Sequence, residues 1–149
     1  MAFLKLAEAK TLLAKVVHYD FHDETLLCEA IDTTGMRKPQ SNQRLALLGD
    51  VMLKHVLLDT WYPTGTPKGT GNTIVSTLGS NGSLAAAARS AGLAKCIITH
   101  PGFMGPISDG MLATAVEAIL GAIYLDSSKS MDKMKEIMTA LGLMAGIIG

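Results

Sequence analysis

Residues 111–125 read MLATAVEAILGAIYL, an apolar run interrupted by a single charged side chain, Glu117. A helix this oily must be buried against other helices. No run in the chain reaches the ~18–20 apolar residues that a membrane helix needs, so no membrane partner is expected. Gly121 lies one turn beyond Glu117. Glycine inside a helix is costly and usually signals that another backbone comes close. A lone Glu117 has no charged neighbour between Met111 and Leu125 with which to pair.

A second stretch raises the same question. Residues 42–50 are NQRLALLGD and continue as VMLKHVLL, a helical pattern running to about Trp61 that carries Asp50. Positions three or four apart share a helix face. Asp50 therefore shares its face with Ala46 and Lys54, and Glu117 shares its face with Thr114 and Gly121. Burying an unpaired carboxylate costs several kcal/mol, so each needs a cation, several donors or a metal. Lys54 offers Asp50 a local partner in the favourable orientation. Helices packed at Gly121 would bring Asp50 and Glu117 together. Facing carboxylates repel unless a divalent ion lies between them, and oxygen-only ligation suits Mg2+. Such an ion polarises phosphate and activates water, the chemistry of phosphodiester hydrolysis.

The rest of the chain is also helical in pattern, with no convincing strand alternation and no repeat. The expectation is one all-α domain over residues 1–149. A first helix ends near His18–Asp20, and Asp23 caps a second, DETLLCEAI. TTGMRKPQSN is a loop, with Ser41 or Asn42 capping the Asp50 helix. YPTGTPKGTGN reads as an exposed loop before a helix over TIVSTLGS. Ser80-Asn81 opens a helix that stops at Gly92, and Ser108 or Asp109 caps the Glu117 helix. SSKSMDKMKEIMTALGL forms the last, amphipathic helix.

Lys+Arg and Asp+Glu each number 13, which excludes a global basic field for nucleic acid and leaves only local patches. Arg37, Lys38 and Arg44 are the candidates for an RNA-phosphate patch, against a reading as solvated loop charge. The apolar fraction of 48 %, with 17 % charged, suggests a buried face beyond the monomer core, most simply a homodimer interface. Cys28 and Cys96 give neither a disulfide framework nor metal-ligand spacing, which points to a reducing intracellular compartment. His18, His22, His55 and His100 show no ligand spacing, and the nine methionines read as core and interface filler.

The words themselves are more specific than the spacing. NQRLALLGD resembles the ribonuclease III signature NERLEFLGD, and LATAVEAILGAIYLD resembles that family's second acidic segment, LADxxEALIGAIYLD. YDFHDETLLCEAI and SNGSLAAAARSAGL are similar to its YxFxDxxLLxxAL and SNxxLAxxAxxLGL segments, in the same order. The resemblance implies an all-helical endonuclease domain that dimerises and cuts double-stranded RNA with Mg2+. It also implies four acidic residues per subunit, two from each acidic segment. Asp50 and Glu117 match two of them, as catalytic and metal-ligating residues, while Ala46 and Thr114 fall on the other two.

Other departures accompany these. Gln43 replaces the glutamate of NER, and Leu47 replaces the bulky aromatic expected to enter the partner subunit. TTGMRKPQ lacks a histidine, and KGTGNTIVS, around Lys68, lacks an acidic residue and a basic pair. No double-stranded-RNA-binding domain is expected within residues 1–149. Fewer anionic ligands weaken a hard-cation site, so Mg2+ binding and RNA cleavage are expected to be weak or absent. Two alternatives remain open beside an impaired RNA-processing domain. One is an active nuclease using Asp50 and Glu117; the other is an assembly module, for which ribosome-associated relatives give precedent. The expected location is intracellular, cytoplasmic or nuclear, with a mitochondrial one left open. The homodimer contact is expected on the face that includes Leu47 and Met52.

Overall fold

The computed structural model describes residues 2–147. Among them are seven α-helices: α1 (Ala2–Val16), α2 (Glu24–Ile31), α3 (Gln43–Trp61), α4 (Lys68–Leu78), α5 (Asn81–Ala91), α6 (Asp109–Asp126) and α7 (Met131–Ala140). The fold is all-α, and the described residues contain no β-strand. One isolated parallel bridge ties Asp32 to Ile98, where Ile98 N donates to Ile31 O (2.9 Å) and Thr33 N to Ile98 O (3.0 Å).

The oily run forms α6, and it is the central element, packed against α2, α3, α5 and α7. Its closest partner is α3, and two glycines explain how close. A methyl group added at Gly49 would overlap the Glu117 carbonyl, with that carbon 2.6 Å away and the Gly121 nitrogen 2.9 Å away. One added at Gly121 would collide with the Leu45 carbonyl, with the Gly49 nitrogen 3.2 Å away. The glycines thus let two backbones touch where any side chain would hold them apart.

Helix ends follow local chemistry at most positions. Asp23 accepts from Thr25 N at 3.0 Å, Ser80 from Ser83 N at 3.2 Å and Ser108 from Met111 N at 3.2 Å. Gly92 closes α5 in the left-handed conformation at φ 81°. At the far end of α6, the Asp126 carboxylate accepts from the Tyr19 hydroxyl (2.6 Å), His22 N (3.0 Å) and Asp23 N (2.8 Å). Its side chain is 1 % exposed. Burial pushes this carboxyl up, but those donors outweigh burial and hold it below the usual carboxylate range.

Three expectations need correction. Neither Ser41 nor Asn42 caps α3 with its side chain: the buried Asn42 amide donates to Ala30 O (2.9 Å), tying α3 to α2 instead. The first helix ends earlier than expected, at Val16, and His18 takes a left-handed φ of 55°. KGTGN is helical, not loop, because α4 starts at Lys68 behind an extended Pro67 (ψ 158°). Gly71 is there for contact, since a methyl on it would meet the Trp61 ring at 2.8 Å.

Helix propensity alone favours alanine over glycine by about 1 kcal/mol. Gly49→Ala and Gly121→Ala should reverse that sign and cost about 3 kcal/mol or more, because the obstructing atoms are backbone. Gly82→Ala, in the first turn of α5 with open space around it, should be neutral or mildly stabilising. Urea titration of the three variants measures both signs.

Candidate functional site

The glycine crossing sets the position of both lone carboxylates. Asp50 follows Gly49 on α3, and the backbone that Gly49 touches belongs to Glu117 on α6. The two side chains meet across the crossing, near enough for Asp50 to act on Glu117 by hydrogen bonding and by charge. Burial, then the hydrogen bond and negative charge of Asp50, push the Glu117 carboxyl up to about 7, and the Lys54 ammonium partly opposes them. Lys54 Nζ lies 3.0 Å from Asp50 Oδ2, an i,i+4 pair whose lysine side chain is 47 % exposed. The expected local partner of Asp50 and the expected contact with Glu117 therefore coexist.

Ala46 is buried one turn before Asp50, and Thr114 is half-buried nearly one turn before Glu117. Neither brings a charge to the crossing. Among the described residues no group of three or more His, Cys, Asp or Glu side chains comes together. Thr114 and Gln43 instead face a cleft of about 530 Å³, whose wall also includes Thr33, Asn42, Asn81 and His100. The lining mixes polar side chains with Phe103 and Met111, and His100 is its one titratable side chain. Sequence reasoning found Gln43 and Thr114 but missed this cleft, because its wall comes from segments far apart along the chain.

The candidate RNA-phosphate residues separate. Arg37 Nη1 lies 3.0 Å from Asp32 Oδ2, and the Asp32 side chain is 3 % exposed. Burial pushes the Asp32 carboxyl up, while hydrogen bonds from Thr34 and Arg37 prevail and hold it low. Arg37 thus anchors its own loop. Lys38, Arg44 and Lys68 are exposed, and none has an ion-pair partner among the described residues. On the outer face of α3, Leu47 is 72 %, Val51 57 % and Leu58 39 % exposed. Their spacing of four and seven residues makes one apolar stripe. Met52 packs partly against the monomer core, inward of that stripe.

Comparison with known proteins places these features in context. Residues 9–142 match the family described as Ribonuclease-III-like. Ribonuclease 3 of Colwellia psychrerythraea is 35 % identical over 121 residues, covering 78 % of this chain and 45 % of that protein. Ribonuclease 3 of Vibrio vulnificus is 37 % identical over 121 residues, covering 77 % and 53 %. The chain spans about half the length of the curated relatives it matches. The nuclease domain of ribonuclease III from Campylobacter jejuni, described for structural flexibility in a region involved in dimer formation, superposes with a TM-score of 0.77. That match has 28 % identity and covers 92 % of this chain and 96 % of that one.

The raised Glu117 acidity makes a signed prediction. Below about pH 4.5, the group's ordinary value, it is neutral in both folded and unfolded chains and costs nothing. Between 4.5 and about 7 the unfolded chain ionises first, so this contribution to stability is lost as pH rises, and above about 7 the loss is constant. Glu117→Gln removes the titration. Chemical denaturation across this range should therefore show the parent losing stability relative to Glu117→Gln up to about pH 7 and no further change above it.

Proposed function

The chain belongs to the ribonuclease III family, and we propose that it binds or helps process double-stranded RNA through a nuclease fold whose own cleavage is weak or absent. The observation that carries this reading is the crossing of α3 and α6. Asp50 and Glu117 meet there, while Ala46 and Thr114 stand where the resemblance would place two further acids.

The family resemblance implies Mg2+, which when bound would polarise the scissile phosphate. The residues present do not make a full cage for it. Asp50 and Glu117 are the charged oxygen ligands at the crossing, and Lys54 is already on Asp50. No buried side-chain nitrogen or oxygen among the described residues lacks a hydrogen-bond partner, so no orphaned oxygen calls for an ion. Magnesium binding here is weak or absent. Arg44 and Lys38, exposed and without ion partners, are the residues that meet RNA phosphate, with Lys68 on α4 as a further contact. The stripe of Leu47, Val51 and Leu58 supports a homodimer contact on α3, with Met52 at its inner margin.

A cleavage assay on long double-stranded RNA with Mg2+ tests the reading. The parent should cut slowly or not at all. Ala46→Glu with Thr114→Asp should cut faster by on the order of 10² or more, because restored carboxylates act as one ligand set. The same double variant should melt lower in EDTA, since Ala46 is buried, and recover with Mg2+. Ready cutting by the parent that Asp50→Ala abolishes would establish the alternative, an active endonuclease. Absence of any RNA binding by parent protein at low salt would favour an assembly module.

Light scattering at tens of micromolar should give a dimer mass. Leu47→Glu with Val51→Lys should reduce it to the monomer without loss of helicity, because both side chains face solvent in the single chain.

A further inference from the structure

We propose that Lys54 serves as a built-in counter-ion at the α3–α6 crossing, filling the electrostatic role of a divalent cation and closing the site to metal. This rests on the family reading only in that the family gives the reason to expect a cation. The geometry is this chain's own. Lys54 lies one helical turn beyond Asp50, and its ammonium reaches Asp50 Oδ2 at 3.0 Å. From that place it also acts on Glu117, the other member of the hydrogen-bonded pair.

Charge accounting supports the assignment. Asp50 and Glu117 are two carboxylates at one crossing, and the Lys54 ammonium already lies against the first of them. A divalent ion entering there would have to displace the ammonium from Asp50. It would gain two anionic ligands, since Ala46 and Thr114, about one turn before them on their helices, bring no charge. Two carboxylates alone hold a hard cation poorly, because charge count sets affinity. An ammonium on the same oxygens adds a repulsion against any entering cation, and the half-exposed position of Lys54 moderates it. Arg44 and His55, the other basic residues on α3, make no ion pair with Asp50 or Glu117.

Lys54 is nearly half exposed, so replacing it leaves the core intact. The test is thermal unfolding at about pH 8, where free carboxyls are ionised, in EDTA and in millimolar Mn2+, with the metal alone as probe. Parent protein and Lys54→Arg, which keeps the charge, should melt at the same temperature in both. Lys54→Gln should gain an Mn2+-dependent rise of about 3 °C or more, and adding Asp50→Asn should abolish it. A parent that is itself stabilised by Mn2+ overturns the proposal whatever the variants do. So does a Lys54→Gln protein with native helicity that ignores Mn2+, or a Lys54→Arg protein that responds like Lys54→Gln. No RNA enters the measurement, so its failure leaves the RNA reading standing, and failure of RNA binding leaves this result untouched.

Discussion

The backbones of α3 and α6 touch at Gly49 and Gly121, and most of what is distinctive about the molecule follows from that contact. Ordinary side chains keep helix axes about 8–10 Å apart. Removing two of them at facing positions allows carbonyl and amide groups of one helix to rest against the other. Residues beside the glycines are then forced together whether or not they attract. Asp50 and Glu117 are such residues, so their encounter is a consequence of packing, and their chemistry must be arranged around it.

That arrangement sets Lys54 against Asp50 and keeps Glu117 half-buried. A site built for hard cations accumulates unpaired negative charge and relies on the ion to relieve it. The crossing here relieves its charge internally. Burial lifts Glu117 towards neutrality, and the lysine on the next turn takes up what remains on Asp50. The neighbouring cleft, which holds Gln43 and Thr114, has no acidic side chain in its wall.

The sequence disclosed much of this where the governing physics was local. The all-α class, the caps at Asp23, Ser80 and Ser108, the stop at Gly92 and the Asp50–Lys54 pair depend on neighbours within one or two turns. Gly121 signalled a close approach, yet nothing local showed that Gly49 was its partner. Reading failed where a residue's local meaning was overridden at a distance. Asn42 looks like a cap but spends its amide on Ala30. Gly71 looks like loop chemistry but lies under Trp61. Arg37 looks like a free cation until Asp32, buried by the bridge to Ile98, claims it.

The Asp126 cluster carries a consequence for how the chain reaches this state. Tyr19 and Asp126 are 107 residues apart in sequence, and Asp23 and Asp126 are 103 apart. The segment joining α1 to α2 thus has its hydrogen-bond acceptor supplied by the last residue of α6. During synthesis, at roughly 5–20 residues per second, that segment waits several seconds for its partner. Contacts this distant bear a large loop-closure entropy and form late. The two N-terminal helices therefore cannot complete this hydrogen-bonded corner until α6 has been made.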